Sequence, residues 1–374
     1  MREMFDLQKL VRPGLDKLVP YDAHLYTGVI KLDANENPYP FPAEAAQKIG
    51  ALAAGDVLSR YPDAGATELR QAIAKYTGVQ PEQVMVGNGS DELILNILLT
   101  FGTGGRVLIT NPTFSMYKIH SLVAGARPIP VPRRSDFSLD VPAVINYARQ
   151  SESRVIFICS PNNPTGNGST LEEIEAVLSQ VNCLVVVDQA YLEFGGADCR
   201  PLLDKYPQLI ILRTFSKAFS LAGLRVGYML ANADVLRQIQ KVKQPYNLNS
   251  FSQAAALAVL TNREPFLKQI QDIITERKAL QEGLQSIPGV TTYPSVTNFI
   301  MFRTNYDSKL IYQQLLDRKI LIRKLGGPEL PGCLRVTVGT AEENKLFLQA
   351  LGQVMDELGR FVTATLFPTN LNKT

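Results

Sequence analysis

The chain has 374 residues, of which 45% are hydrophobic and 20% are charged, a composition typical of globular proteins with two or three domains. Lys and Arg number 38 against 35 Asp and Glu, which gives a net charge of +3. Nucleic-acid and membrane partners usually require concentrated positive charge, so we expect neither here.

Cysteines and histidines are few and scattered. Four Cys and two His are present, with no Cys-x-x-Cys pair and no His-Glu-x-x-His motif, so we expect neither a disulfide scaffold nor a metal site. The charged N-terminus does not resemble a signal peptide. No apolar run approaches the ~18 residues of a membrane-spanning helix. The sequence therefore predicts a soluble, cytoplasmic protein with reduced thiols.

In chain order, the segment 7–42 is rich in Pro and Asn and is predicted to be an arm with loops. Short apolar runs follow, each typical of a strand buried on both faces. These runs are 84–86, 107–109, 155–158, 184–187, 209–212 and 226–229. Helical patterns lie between several of them, as at 91–99 and 171–178. Strands that alternate with helices predict a mostly parallel sheet covered on both faces.

The C-terminal part has a different pattern. A charged helical stretch runs from about Thr261 through 277–284. The elements expected after it are strands at 290–293 and 298–302, a helix at 309–318, strands at 320–322 and 334–338, and a helix at 342–358. We interpret them as a second, smaller α/β layer. The predicted division is a large domain at 43–275 and a small domain formed by 1–42 and 276–374.

Polar or ionisable residues follow four of the apolar runs, where an open α/β sheet binds its ligands. Gly87 to Asp91 follows the first run, 160–166 the third, Asp188 and Tyr191 the fourth, and 213–217 the fifth. Polar residues are common at strand ends, but their joint placement on one rim favours a binding site there.

The glycine loop has two interpretations. Gly89, Ser90 and Asp91 begin a predicted helix, whose free N–H groups and dipole suit a phosphate. Alternatively, Ser90 or Asp91 is a plain helix cap. The motif Gly-x-Gly-x-x-Gly is absent because Glu92 follows Asp91, and the chain has no Gly-Lys dipeptide. A nicotinamide-dependent enzyme or a P-loop nucleotidase therefore loses most of its support.

Asp188 and Lys217 each follow a buried run. A buried carboxylate at Asp188 needs a partner, which is a structural Arg or Lys, a metal ion or a protonated ring nitrogen. Lys217 is either an ordinary surface lysine or an amine whose pKa is lowered by burial and by Arg225, as a Schiff-base lysine requires. Ser216 and Arg225 can hold a phosphate dianion. A ligand with a phosphate, a carbonyl and a cationic ring atom satisfies all these groups, and pyridoxal 5′-phosphate is such a ligand.

With these residues in place, the sequence resembles the fold-type I pyridoxal-phosphate aminotransferases, and within them the histidinol-phosphate aminotransferase branch. The motifs that carry the resemblance occur in family order along nearly the whole chain. They are LDANENPY at 32–39, RYPD at 60–63, GNGSDE at 87–92, NPTFSMY at 111–117, SPNNPTG at 160–166, DQAY at 188–191, TFSKAF at 214–219, AGLRVGY at 222–228 and LRVTVG at 334–339. The resemblance implies the aspartate-aminotransferase-like fold: a large domain with a mostly parallel seven-stranded sheet between helices, plus a smaller α/β domain.

The resemblance also implies catalytic roles. Lys217 would form the Schiff base with the cofactor and then move a proton between the substrate Cα and the cofactor C4′. Asp188 would keep the pyridine nitrogen protonated, and Asn163 and Tyr191 would hydrogen-bond the phenolic oxygen of the ring. Phe114 would stack on the ring.

The remaining implied contacts concern the phosphate and the substrate. The further cofactor-binding residues are Gly89, Ser90, Asp91, Thr214, Ser216 and Arg225. Tyr61 would reach the cofactor phosphate of the neighbouring subunit, which implies a homodimer. Arg335 would bind the carboxylate of glutamate and the phosphate of the other donor. The other candidate substrate contacts are Tyr21, Asn35, Tyr246 and Arg323.

Together these roles predict an aminotransferase of histidine biosynthesis with ping-pong kinetics, which exchanges an amino group between histidinol phosphate and 2-oxoglutarate or glutamate. Phe114 stands where this branch often has Tyr, and Gln189 replaces the usual Glu beside Asp188. Because of Phe114, an aromatic amino-acid aminotransferase, for phenylalanine or tyrosine, stays open as an alternative that shares nearly all these motifs. Two remoter alternatives are a phosphothreonine-type decarboxylase and a non-catalytic cofactor-binding sensor.

Overall fold

The computed structural model describes residues 5–12, 14–15, 18–20, 26–52 and 59–366, with the backbone alone for 361–366. Its larger sheet has seven strands in the order β2-β8-β7-β6-β5-β3-β4. Their bounds are β2 Val84–Asn88, β3 Arg106–Asn111, β4 Arg127–Pro132, β5 Val155–Cys159, β6 Leu184–Asp188, β7 Leu209–Thr214 and β8 Val226–Ala231. β8 runs antiparallel to both neighbours, and the other pairs are parallel. The expected mostly parallel seven-stranded sheet is confirmed.

Burial explains which strands the sequence revealed. Every residue of β5 and β7 is buried, because helices cover both faces, and such strands consist of continuous apolar residues. β4 was not predicted. It contains Pro128, Pro130 and Pro132 and lies at the edge of the sheet, where a proline removes no hydrogen bond that the sheet needs.

Helices connect and cover these strands. Their bounds are α1 Ala43–Leu52, α2 Thr67–Thr77, α3 Gly89–Ile97, α4 Met116–Val123, α5 Val141–Gln150, α6 Leu171–Leu178, α7 Ala233–Ile239 and α8 Ser250–Thr261. The helix expected at 171–178 is α6, which begins at a capping box formed by Thr170 and Glu173. The helix expected at 91–99 begins two residues earlier, at Gly89, directly after β2. This shift places the first turn of α3 at the rim of the sheet.

The second sheet has five strands in the order β1-β11-β12-β10-β9. The strands are β1 Ile30–Leu32, β9 Val290–Thr292, β10 Phe299–Thr304, β11 Ile320–Lys324 and β12 Cys333–Thr337, and the helices beside them are α9 Glu264–Ser286, α10 Ser308–Asp317 and α11 Ala341–Leu366. The elements expected for the C-terminal part are confirmed.

The expectation of an arm with loops at 7–42 needs a correction, because this segment also contains β1. Ile30 pairs with Ile320, so β1 lies parallel to β11 at the edge of the second sheet. Pairing with a distant strand stabilises a three-residue strand whose local sequence carries little signal. None of the helices that the structure describes combines the length and apolar character of a membrane span.

Candidate active site

A cavity of about 620 Å³ lies where the carboxyl ends of β5, β6 and β7 face the second sheet. Most of the sequence-predicted site residues line it. They are Asn35, Ser90, Asp91, Phe114, Asn163, Asp188, Tyr191, Thr214, Ser216, Lys217, Arg225, Arg323 and Arg335. Gly89 lies beside the cavity under Arg225. The cavity thus combines groups from both sheets and from the first turn of α3.

Two of the predicted residues, Tyr61 and Tyr246, do not line this cavity in their own chain. Tyr61 is 82% exposed and stacks on Tyr246, with ring centroids 4.6 Å apart and an interplanar angle of 22°. Tyr21 lies outside the described residues. The structure therefore brings neither Tyr61 nor Tyr246 to the cavity of its own chain.

Lys217 follows β7 and reaches across the cavity. Its Nζ donates to the backbone oxygen of Ala34, 2.9 Å away, in the segment after β1. Burial, assisted by the positive charge of Arg335, lowers the pKa of Lys217 to about 8. The side chain is partly buried and bonded to a neutral oxygen, so it is not an ordinary surface lysine. An amine of this kind is partly unprotonated near neutral pH and can act as a nucleophile.

Asp188 is the last residue of β6 and is only 3% exposed. Its Oδ2 accepts a hydrogen bond from the Tyr117 hydroxyl at 2.7 Å, and its Oδ1 accepts one from the Ala190 N–H at 3.1 Å. Burial raises the pKa of Asp188 to about 6. No Lys or Arg within the described residues forms an ion pair with it, and no group of three or more potential metal ligands occurs among them. Of the three expected partners, a protonated ring nitrogen fits this carboxylate best.

The first turn of α3 forms an anion cradle with Arg225. Gly89 has a φ of +78°, and a Cβ at this residue would lie 2.6 Å from Nη2 of Arg225. A Cβ at Gly227 would lie 2.4 Å from the backbone nitrogen of Ser90, so β8 and α3 pack together only because Gly227 lacks a side chain. Arg225 donates through Nη2 to Asp91 Oδ2 at 3.1 Å. The free N–H groups of this turn and the guanidinium face one cavity and suit a phosphate.

The structure decides between the two interpretations of the glycine loop. The N-cap residue of α3 is Asn88, and its side chain makes no capping hydrogen bond. Ser90 and Asp91 lie inside the first turn, so the helix-cap interpretation is wrong. On the opposite side of the cradle, Ser216 is buried, and its Oγ accepts from Thr214 Oγ1 at 3.0 Å.

Tyr191 is held by two amides. Its hydroxyl oxygen accepts from Asn35 Nδ2 at 2.9 Å and from Asn163 Nδ2 at 3.4 Å. The Asn163 Oδ1 in turn accepts from Arg335 Nη1 at 2.6 Å. Burial raises the pKa of Tyr191 to about 12, so its hydroxyl keeps its proton and can donate to an oxygen of a ligand.

Two arginines face the cavity from the second sheet. Arg323 on β11 and Arg335 on β12 are directly paired in the antiparallel register, so their side chains lie on the same face of the sheet. Arg335 also donates through Nη2 to the backbone oxygen of Asp33 at 2.6 Å. Lys324 lines the cavity beside Arg323. This wall therefore carries several cationic groups that can bind an anionic substrate.

Among the cavity residues that sequence reasoning missed, three carry titratable side chains that bear on the site: Asp33, Tyr117 and Lys324. Asp33 directly follows β1, a strand that was itself missed. Tyr117 belongs to the quoted motif at 111–117, and its position three residues after Phe114, one helical turn on, was an available signal. Lys324 lies beside Arg323 in the chain and carried no signal of its own.

The residues of the cavity fit pyridoxal phosphate. Lys217 supplies the amine for a carbonyl group, and Asp188 supplies a buried carboxylate without an ion-pair partner among the described residues. The cradle of Gly89 and Arg225 fits the phosphate. These three subsites correspond to the three recognition groups of this cofactor.

Comparison with known proteins identifies the family. The model of aminotransferase class I and II matches residues 27–351. The chain is 44% identical to histidinol-phosphate aminotransferase 1 of Carboxydothermus hydrogenoformans over 340 residues, which cover 91% of this chain and 97% of that protein. It is 42% identical to the histidinol-phosphate aminotransferase of Thermoanaerobacter sp. over 352 residues, which cover 93% and 99% of the two chains.

A solved structure is similar as well. The histidinol-phosphate aminotransferase of Sinorhizobium meliloti, in complex with pyridoxal 5′-phosphate, superimposes with a TM-score of 0.85 at 26% identity, over 93% of this chain and 98% of the other. The chain therefore belongs to the class I and II aminotransferase family, on its histidinol-phosphate aminotransferase branch.

Proposed function

We propose that this protein is a pyridoxal-phosphate-dependent transaminase of histidine biosynthesis that exchanges an amino group between histidinol phosphate and 2-oxoglutarate or glutamate. The observation that carries the proposal is the convergence of Lys217, Asp188 and the Arg225 cradle on one cavity. We expect ping-pong kinetics, because the product of the donor leaves the cavity before the acceptor enters it.

Pyridoxal phosphate, when bound, supplies the electron sink that lets an amino group leave one carbon skeleton for another. The chain's own residues hold it and move protons. Arg225 and the first turn of α3 bind the phosphate, and Asp188 holds a proton at the ring nitrogen. Asn163 and Tyr191 orient the phenolic oxygen. With the cofactor bound, Lys217 would move the proton between the substrate Cα and C4′.

The cationic wall supports an anionic donor and acceptor. Arg335 is positioned to bind the carboxylate of glutamate, and the same guanidinium serves the phosphate of histidinol phosphate. Arg323 and Lys324 also line the cavity and add positive charge to it. Phenylalanine carries no second anionic group for these residues, so the wall favours histidinol phosphate over an aromatic amino acid.

Asp33 supports the same choice of donor. It lines the cavity, and its buried Oδ1 has no hydrogen-bond partner within the described chain. Lys31 Nζ forms a long ion pair with this oxygen, at 3.8 Å, which is beyond hydrogen-bond distance. An imidazole N–H can donate to such a carboxylate, whereas a phenyl ring cannot. A site with an unsatisfied polar group discriminates strongly against a substrate that lacks the matching group.

The proposed active form is a homodimer in which Tyr61 reaches the neighbouring site. Tyr61 is 82% exposed and does not line the cavity of its own chain. The N-terminal segment also exposes Phe5, Leu10 and Val19, and exposed apolar groups of this kind are typical of an interaction surface. Sedimentation of the purified protein tests this point, because a fully active monomer contradicts it.

We propose that the chain divides into a large domain at 43–275 and a small domain formed by 1–42 and 276–374. This division is supported by the strands, since β2 to β8 fall inside the first range and β1 and β9 to β12 fall inside the others. We also propose that the protein is located in the cytoplasm.

The experiment that tests the function compares kcat/KM for histidinol phosphate and for phenylalanine, with 2-oxoglutarate as the acceptor in both assays. We expect a preference for histidinol phosphate of at least ~100-fold, in the range of discrimination that unpaired buried polar groups produce. Equal values, or a preference for phenylalanine, contradict the choice of donor. Release of carbon dioxide without newly formed glutamate contradicts transamination.

A further inference from the structure

Tyr117 is a fully buried side chain that none of the preceding roles uses. It lies in the first turn of α4 and is 0% exposed. Its ring stacks on Phe157 of β5, with centroids 4.8 Å apart and an interplanar angle of 14°. Phe114 packs against the same ring in a T-shaped arrangement, with centroids 5.5 Å apart and an interplanar angle of 83°. Packing on both sides leaves the ring one orientation, so the position of its hydroxyl is determined by the fold.

That hydroxyl ends at Asp188. The Tyr117 hydroxyl donates to Oδ2 of Asp188 at 2.7 Å. Asp188 faces the cavity from the end of β6. We propose that Tyr117 is a positioning residue of the transaminase: its hydroxyl keeps the Asp188 carboxylate charged and directed at the ring nitrogen of the cofactor. The proposal rests on the function proposed above, because it concerns the same cofactor site.

The groups around Asp188 show why the Tyr117 hydroxyl is needed to stabilise the charged carboxylate. Cys159, at the end of β5, is paired with Asp188 in the parallel register, and Asp91 of α3 and Tyr191 face it across the cavity. Burial and Asp91 raise the pKa of Asp188, whereas the bonds from Tyr117 and Ala190 lower it. Arg133 approaches Cys159 and donates to its backbone oxygen at 3.2 Å, not to Asp188. Within the described chain, the two hydrogen bonds therefore stabilise the charge without help from an ion pair.

Tyr117 is suited to remain a donor. Burial and the negative charge of Asp188 raise its pKa well above the ordinary value of 10. The hydroxyl therefore keeps its proton throughout the pH range in which an aminotransferase works. Asp188 has no proton to donate when charged, so the direction of the bond is defined.

The test uses the holoenzyme and the variant Tyr117→Phe, which keeps the ring and its packing and removes only the hydroxyl. The matched control is Tyr228→Phe, because Tyr228 of β8 is also buried, at 1% exposure, and does not line the cavity. The main readout is the ¹⁵N NMR signal of pyridoxal phosphate labelled at the ring nitrogen. The second readout is the pH midpoint of the Asp188 carboxyl in the cofactor-free protein, followed by ¹³C NMR.

For Tyr117→Phe we expect the ring-nitrogen signal to move toward that of an unprotonated pyridine and the Asp188 midpoint to rise by about one to two pH units. We expect kcat to fall by about 10- to 100-fold, the effect of a lost hydrogen bond to a charged group, with KM changed less than threefold. Tyr228→Phe should leave both NMR readouts unchanged.

An unmoved ring-nitrogen signal and midpoint in Tyr117→Phe, with only a lower melting temperature, would mean that the residue is merely structural and would overturn the inference. The NMR measurement requires bound cofactor but no histidinol phosphate. A wild-type protein that retains no pyridoxal phosphate overturns the proposed function itself, whereas retention with an unmoved signal overturns only the role of Tyr117.

Discussion

The substitution Gly89→Ala tests the anion cradle most directly. At Gly89, φ is +78° and an added Cβ would lie 2.6 Å from Arg225 Nη2. The change therefore has two costs. Left-handed backbone costs a residue with a Cβ about 1–2 kcal/mol. The clash also displaces the guanidinium from the phosphate, and loss of a charge-assisted hydrogen bond costs about 1.5–3 kcal/mol.

The control is Gly125→Ala. Gly125 has a φ of +72°, and an added Cβ would meet nothing within 4 Å. It carries the same backbone strain without the contact. Both variants should lose similar thermal stability. Only Gly89→Ala should bind pyridoxal phosphate more weakly, with Kd raised about 10- to 100-fold, measured by titration of the cofactor-free protein. If the two variants bind the cofactor equally well, Arg225 and the α3 turn do not hold the phosphate.

Three further predictions concern the cavity. Lys217→Ala should lose the covalently retained cofactor after borohydride reduction, as judged by mass spectrometry of the intact chain; retention would refute the assignment of the amine. Without cofactor, Asp188→Asn should stabilise the protein at pH 8 by about 3 kcal/mol, because burial raises the pKa of Asp188 from 3.8 to about 6, at about 1.4 kcal/mol per pH unit. The folded state binds the extra proton, so this difference should vanish below about pH 4, and a gain that persists there would contradict the reasoning. Asp33→Asn should lower kcat/KM for histidinol phosphate about tenfold or more and leave phenylalanine unaffected; an equal loss for both donors would show that Asp33 does not contact the imidazole.

The local hydrophobic pattern was sufficient to predict the strands that are completely buried. The runs that became β5, β6 and β7 are continuous and apolar because both of their faces are covered, and this leaves a direct signal in the sequence. It failed at edges. β4 contains prolines, and the three residues of β1 gain their structure from pairing with β11. An edge strand pairs on one side only, so it tolerates prolines and need not be a continuous apolar run.

Some site residues were correctly predicted to lie near one another, and others were not. Asn163, Asp188 and Lys217 follow predicted strands, so the expectation of a common rim placed them near one another. The surface stack of Tyr61 and Tyr246 could not be predicted, since neither residue belongs to a strand end. The hydrogen bond from Tyr117 to Asp188 was also missed, because it joins residues 71 positions apart.

The buried strands, the polar groups at their ends and the chemistry that those groups can perform follow from local hydrophobicity and residue type. Which of these groups meet depends on the packing of elements that are far apart in the chain. Lys217 bonds to Ala34 across 183 residues, and Arg335 bonds to Asn163 across 172. Such contacts depend on how two sheets pack against each other, and no local pattern encodes that packing. The facing sheets set the direction of the amine, the carboxylate and the two arginines toward one cavity.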